Sequence, residues 1–565
     1  MFGHRCAVLA QEAAMMMRMN RRSMTATSPK GERAKRVLKL GPLVIACSLS
    51  SVGCKGGDGE ADDDAADATT SSADASSDTT GDTGTDTGGD EPLTATITHR
   101  FGELTLTPYE EREDCLQWTL DNDEAIYVQK VTLSNLGYWH HSNWFVVPED
   151  TFAGEDGYYN CSDRGFTEIG AATAGTVLFA QSTQSFVEEQ QTGEGAVIKI
   201  PPRHKVVAGI HLLNAGPSTV DTDLFMTLDL IHPKDVSIVL TPFRLSYLDL
   251  QIPPLAESHF TGRCDTLAEK YMGATGQPLD IKLHYVLPHY HYLGNYFNLT
   301  FTGGGGELDG QTVYEHSGFD GGANGLTFDP PLDISSITGL RYTCGYDNWR
   351  DVEVNWGIGD QEMCVMLGLA ESRVLMDITV TGGTVAVGQT PEGVYEFEGP
   401  CGVLAVAKNP AQGPPTSAEI EGPFYIPPTK PEDENIPPVP ECEDHDPSVE
   451  PELEPTLTNV FAGVFNQSCA FNACHGSSGG AAGLDLQAAD LHAELLGHET
   501  LGNPGMALVE PGDPDNSWLY QVMSQCAPMG ETGVRPHMPL NAPFLMEDEA
   551  IAIVREWIAA GALND

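Results

Sequence analysis

The 565-residue chain is short of base: 29 Lys and Arg stand against 81 Asp and Glu, a formal net charge of −52. That imbalance argues against a nucleic-acid ligand and against a polybasic membrane patch. Long apolar runs are scarce too. Outside an N-terminal export signal, no segment reaches the roughly 18 apolar residues of a membrane-spanning helix. Helical periodicity is wanting between residues 94 and 425, where "TLAEKYMGATG" is the one candidate.

What is present begins with export. "KGERAKRVLKL" supplies a cationic stretch and "GPLVIACSLSSVGC" an apolar one ending at Cys54. The small residue before Cys54 resembles a bacterial lipobox, with Ser51 where Leu is usual. Residues before Met24 read as an early start codon. The expectation is a signal over 1–54 and a lipid anchor at Cys54. That anchor would hold the protein outside the cytoplasm, on the periplasmic or cell-surface side. Residues 55–93 are rich in Asp, Thr, Ser and Gly and bury too little to offset ordering entropy, so a disordered acidic linker is expected. Residues 426–455, rich in Pro and acid, read as a second, extended linker.

Between the linkers, segments such as "TATITHRFGELTLTP", "AIYVQKVTLSNL" and "TDLFMTLDLIHP" alternate apolar and polar residues and are broken by Pro, Gly and Asn. Many short strands at regular spacing imply β-sandwiches or jelly rolls, and about 330 residues are too many for one. The expected fold is therefore mainly β: two tandem sandwiches, 94–255 and 256–425, with a small helical block at 456–565. Cys115 and Cys161 fall in the first half and Cys264, Cys344, Cys364 and Cys401 in the second. In an exported protein they should be oxidised. Segregation by half permits Cys115–Cys161, with the other four pairing among themselves in an order the sequence leaves open.

Histidines supply the chemistry. "LPHYHYLGNYF" sets His289 and His291 two apart, on one face of a strand, where both imidazoles can reach one metal. "GYWHHSNWFVVP" carries His140 and His141, which share a metal only where the strand ends or bulges. The alternative is an exposed tandem pair. "VVAGIHLLNAG" carries His211, which alone reads equally as a buried structural histidine. Met363, beside Cys364 in "IGDQEMCVMLGLA", offers a thioether, soft enough for copper(I) and poor for Zn²⁺.

Two adjacent histidines, a lone one about 70 residues on, then His-x-His, then Met-Cys about 70 further, resemble the copper type II ascorbate-dependent monooxygenases. That family includes the peptidylglycine α-hydroxylating and dopamine β-monooxygenases. The resemblance covers roughly residues 94–425 and implies two tandem jelly rolls. It implies an electron-transfer copper on His140, His141 and His211, and an O2-binding, catalytic copper on His289, His291 and Met363. The coppers are expected to face each other across a solvent cleft, with ascorbate or another reductant as co-substrate. Disulfides Cys115–Cys161, Cys344–Cys364 and Cys264–Cys401 follow by the same resemblance; other bridges of the family have no cysteines here. Peptide-amidating members carry an arginine two residues before His-x-His and a tyrosine four after the Met. Leu287 and Leu367 stand at those positions, so a glycine-extended peptide is not the expected substrate.

In the small block, "FNQSCAFNACHGSSGG" presents Cys469, Cys474 and His475 as C-x4-C-H, two residues longer than the usual haem c attachment. Met538 in "GVRPHMPLNAP" is the candidate sixth ligand. "MEDEAIAIVREWIAAGA" reads as an amphipathic helix with Ile551, Val554, Trp557 and Ile558 on one face and Gly561 as its cap. The block resembles a cytochrome c domain; the alternative is a Cys469–Cys474 disulfide with His475 unused. Cys442 is one possible partner for Cys526. The expected protein is an exported, monomeric copper monooxygenase that hydroxylates a C–H bond of a small organic substrate with O2. It would meet a membrane only through its anchor. A non-catalytic copper-binding or electron-transfer lipoprotein is the competing class, and a zinc protein fits poorly with Met363.

Overall fold

The computed structural model describes residues 94–565 apart from 182–185, 292, 318–324, 349, 351, 358–360, 431, 432, 434, 439, 471–473, 477–480, 499, 501, 502, 531, 532 and 540–543, and of His140, Ile169 and Ala481 only the backbone. The export signal, Cys54 and the 55–93 linker lie outside the described residues. The chain from 94 onward is mainly β, arranged in several sheets.

Six strands carry the site: β1 (Glu111–Thr119), β2 (Trp139–Pro148), β3 (His204–Leu213), β4 (Thr241–Tyr247), β5 (Ile281–His289) and β6 (Val365–Ser372). The first β body pairs a six-stranded sheet with a five-stranded one, in which β1, β3 and β2 are adjacent. Ile97, Leu133 and Leu228 of one sheet meet Trp144, Val206 and Leu212 of the other in a common core. The second body joins two six-stranded sheets, one containing β5, β6 and β4 side by side. Its core sets Leu245, Leu283 and Met366 against Phe260, Phe297 and Tyr342. Because β4 pairs with β6, the chain enters the second body near residue 241, upstream of the 255/256 division expected from the sequence.

β5 shows why the two bodies meet. Its run is buried almost throughout, as a strand covered on both faces must be. Leu283 and Val286 enter their own core, whereas Tyr285 and Leu287 join the core of the first body, as does Leu369 of β6. The face carrying Leu287 and His289 is thus the face turned to the first body.

The 426–455 segment is not a free spacer. Asp433 accepts from His99 at 3.2 Å, and that imidazole stacks on Trp118 at 4.4 Å. Cys442 is bonded to Cys526, and His445 pairs with Asp548 at 2.6 Å. Just upstream, Glu419 closes a capping box with Thr416 and takes a hydrogen bond from Tyr127 and an ion pair from Lys199. The segment is a strap, held to the first body at one end and to the small block at the other. Proline and acid predict extension; they do not predict the buried histidines that hold it.

In the small block a helix spans Asp548–Ala559 and buries Ile551, Val554, Trp557 and Ile558. Gly561, at φ +102°, lets the chain turn off its end. The block also holds a hairpin of two-residue strands, Met529–Gly530 and Gly533–Val534, so it is not purely helical. Phe544 packs on Tyr138 and Phe186 of the first body, at 6.0 and 5.2 Å between ring centres.

Four disulfides close the described chain: Cys115–Cys161, Cys264–Cys401, Cys344–Cys364 and Cys442–Cys526. They mark an oxidising, exported location. No helix among the described residues is long and apolar enough to cross a membrane.

Candidate metal centre

The core alternation of β3 points Val206, Ala208, Ile210 and Leu212 inward, which leaves His211 on the opposite face. On β2, Trp139 and Trp144 both enter the core although they are five positions apart, an odd offset that puts residues of a regular strand on opposite faces. A bulge resolves this: His211 pairs with His141 and Leu212 with Trp139, so His140 is the extra residue. The bulge reverses the parity of the strand and turns His141 to the same face as His211.

The two imidazoles are cross-strand neighbours. His211 Nδ1 lies 3.2 Å from His141 Nε2. Nitrogens bound to one ion at about 2.0 Å in a tetrahedral arrangement stand about 3.3 Å apart, so this pair is spaced to share a metal. Glu111, at the start of β1, bonds His211 Nε2 at 3.0 Å. A carboxylate only accepts, so Nε2 carries the proton and the lone pair of neutral His211 is on Nδ1, toward His141.

His289 and His291 approach from the second body. Their rings are 5.2 Å apart, and His141 lies 5.8 Å from His289 and 6.2 Å from His291. His291 Nδ1 donates to the Gln361 carbonyl at 2.7 Å, which places its lone pair on Nε2. That Nε2 is buried and has no hydrogen-bond partner among the described residues. Burial, with His291 beside it, pushes His289 down to about 3. Burial also lowers His291, assisted by His211 and opposed by the Gln361 carbonyl. Both shifts favour the neutral ring that metal ligation requires.

Met363 stands just past the β5–β6 ladder, whose last rung pairs His289 with Val365. Its carbonyl accepts from Tyr346 at 2.7 Å, its amide donates to Glu362 at 3.3 Å, and Cys364 is bonded to Cys344. Leu287 and Leu367 are direct partners across the same two strands.

Four of the expected ligands, His141, His211, His289 and His291, are therefore brought into one cluster. The open cleft implied between two separate sites is replaced here by contact between the bodies, because β5 shares the first body's core. His140 is placed by its backbone alone. Among the described residues, no three His, Cys, Asp or Glu side chains converge as a ready-made cage. Sequence reading missed Glu111, Gln361 and Glu362. Gln361 and Glu362 left a local trace, as the two residues before Met363; Glu111 is some hundred residues from the histidine it holds.

The second constellation lies on the small block. Cys469 and Cys474 are free thiols, against the disulfide considered as the alternative. Eight of the ten cysteines described are paired, so these two stand apart. Burial pushes both thiols up to about 12, with Cys474 adding to the rise at Cys469 and Glu111 to that at Cys474. His475 Nδ1 meets the Leu484 carbonyl at 3.3 Å, and Cys469 and Met538 both pack against the helical core. The field of Glu111, whose carboxylate bonds His211, reaches Cys474.

No family model matches the chain, and no curated protein does. Among solved structures, the VP2 subviral particle of infectious bursal disease virus is 10% identical, with a TM-score of 0.12 over 50% of this chain and 72% of that chain. The human norovirus GI.7 Houston strain virus-like particle is 10% identical, with a TM-score of 0.12 over 45% of this chain and 66% of that chain. Likeness at that level says nothing of fold or function.

Proposed function

We propose that the protein is an exported copper-dependent monooxygenase that hydroxylates a C–H bond of a small organic molecule with O2. The observation that carries the reading is the lone-pair arrangement. Glu111 and the Gln361 carbonyl take the outer ring protons of His211 and His291, which turns His211 Nδ1 toward His141 Nε2 and leaves His291 Nε2 buried without a hydrogen-bond partner among the described residues. Imidazole with a thioether suits copper(I) better than zinc or magnesium. His140, His141 and His211 would hold one copper, and His289, His291 and Met363 the other. Bound copper would bind O2 and store the electrons that hydroxylation consumes.

The chain's own contribution is placement. Sheet register sets His141 against His211, and burial lowers His289 and His291 so that protons compete less with a metal there. The Leu287–Leu367 pair presents an apolar wall on the strands that lead to His289 and Met363. Such a wall leaves a substrate carboxylate unpaired, which favours an uncharged aliphatic or benzylic substrate. On this reading the two β bodies are jelly rolls and the protein is tethered through Cys54. The small block is cytochrome c-like, with haem held by Cys469, Cys474, His475 and Met538. Two neutral thiols left unpaired in a disulfide-rich chain suit thioether attachment. Either ascorbate or this module supplies electrons.

A second reading, a copper-binding or electron-transfer lipoprotein without catalysis, draws on Leu287, only 2% exposed where the bodies meet. Metal analysis with aerobic turnover separates the two. Two coppers per chain and oxygen from labelled O2 in a product support the enzyme. Copper binding without oxygen incorporation, across a panel of aliphatic and benzylic substrates with a reductant, supports the second reading.

A further inference from the structure

β5 and β6 stop exchanging backbone hydrogen bonds after His289 and Val365. Two more steps in the same antiparallel register, past Tyr290 and Cys364, would set His291 opposite Met363, where no rung exists among the described residues. Glu362 fills that gap. Its side chain is almost fully buried, at 1% exposure. One carboxylate oxygen accepts from the His291 amide at 2.8 Å and from the Met363 amide at 3.3 Å, and the other accepts from the Leu293 amide at 2.7 Å. Its own backbone is fixed as well, donating to Asn355 at 3.0 Å and accepting from Gly357 at 2.9 Å. The preceding carbonyl, of Gln361, holds the His291 ring. One dipeptide therefore fixes the backbone and the ring of His291 together with the backbone of Met363.

We propose that Glu362 is a positioning residue: its carboxyl group extends the β5–β6 ladder by one side-chain rung and thereby holds Met363 opposite His291 as a joint ligand set. A buried carboxyl is costly to maintain. Desolvation pushes this one up to about 8, against the pull of the three amides and of Arg350. Three amide donors in a water-poor turn give a reason for its retention, since without it they would be buried and unpaired. The proposal rests on the copper reading of His289, His291 and Met363.

The test compares wild-type protein with Glu362→Ala and Glu362→Gln, each loaded with copper(I), by copper content and by the sulfur signal in copper X-ray absorption. Glu362→Ala should keep the copper of the first set and lose the copper–sulfur signal of the second. Glu362→Gln keeps one acceptor oxygen for the shared His291 and Met363 position, so it should retain that signal. An undiminished copper–sulfur signal in Glu362→Ala overturns the proposal. If Glu362→Ala does not fold, amide exchange in Glu362→Gln decides: Leu293 should exchange about ten-fold faster, its acceptor being replaced by a donor. Unchanged exchange there overturns the proposal. A wild-type protein that binds copper without any sulfur signal refutes the ligand assignment itself, a result distinct from either variant outcome.

Discussion

Removing the Glu111 carboxylate should weaken the first metal set while leaving the fold nearly untouched. Its side chain is 54% exposed and sits at the start of β1, so truncation to Ala should change stability by no more than about 0.5 kcal/mol. What it loses is the bond to His211 Nε2. Without it the imidazole can rotate or take the other tautomer, which moves the proton to Nδ1 and blocks the lone pair facing His141. Loss of such an outer partner typically costs 10–100-fold in metal affinity, or about 1.4–2.7 kcal/mol.

The measurement is a competition titration of copper(I) against a chromophoric chelator, with Glu113→Ala as the control. Glu113 lies on the same strand and is the cross-strand partner of His211. Its removal deletes the same charge at nearly the same place. Glu111→Ala should lower the affinity of one copper per chain by at least about ten-fold, and Glu113→Ala should leave it within about two-fold of wild type, a surface-charge effect. Equal losses in the two variants would show that general electrostatic attraction, and not orientation of His211, sets the affinity. No loss in either would remove His211 from the site.

Further outcomes follow from other parts of the molecule. Cys344→Ser with Cys364→Ser opens a loop of sequence separation 20, expected to cost about 3 kcal/mol in denaturant unfolding; a loss below about 1 kcal/mol would mean the bridge does little for the fold. Leu287→Ala, at a site 2% exposed, should cost about 2–5 kcal/mol, and an unchanged denaturation midpoint would contradict the shared core. Expression alongside a haem c maturation system should yield covalent haem that Cys469→Ala with Cys474→Ala abolishes; thiols recovered free in the wild type would refute haem attachment. The strap should loosen in acid. Burial raises Glu419, but bonds from Thr416 and Tyr127 and the charge of Lys199 outweigh it and hold the group down to about 2. A depressed carboxylate stabilises above its unfolded value near 4.3 and loses that contribution as pH falls toward 2. Limited proteolysis of residues 426–440 should therefore rise over that window, and Glu419→Gln should already be cleaved at neutral pH.

The β character was legible because it rests on local alternation, and β3 illustrates it: every second residue from Val206 to Leu212 enters the core. The boundary near 241 was not, because β4 carries the same alternation whichever sheet receives it; pairing to β6 is a long-range choice. Strand geometry made His289 and His291 readable as neighbours, but β5 ends at His289 and His291 lies beyond it, held by Glu362 and Gln361. The bulge at His140 could be required but not located, since it shows only in the register of a strand 70 residues away. Glu111 had no sequence signal at all: in a chain with 81 acids, one carboxylate beside a histidine is indistinguishable until the sheet is built.

Burial of β5 on both faces also sets a constraint on how this protein can work. Leu287 lies in the core shared with the first body, and His289, two residues on, lies against His141. On the proposed copper reading, a substrate that reached His289 would have to enter beside the junction of the bodies or part them. Parting them exposes the faces of Tyr285, Leu287 and Leu369, three large apolar side chains now at most 7% exposed. At about 1.5–3 kcal/mol for each side chain, full separation costs about 5–9 kcal/mol before any interaction with substrate. An apolar substrate that covers the Leu287–Leu367 pair would recover part of that cost, and a charged one would recover none. On that reading, substrate polarity and access would be linked through one pair of leucines. Leu367→Ala, which thins the wall from the partly buried side, should raise KM for apolar substrates more than it changes kcat; an effect on kcat alone would place substrate elsewhere.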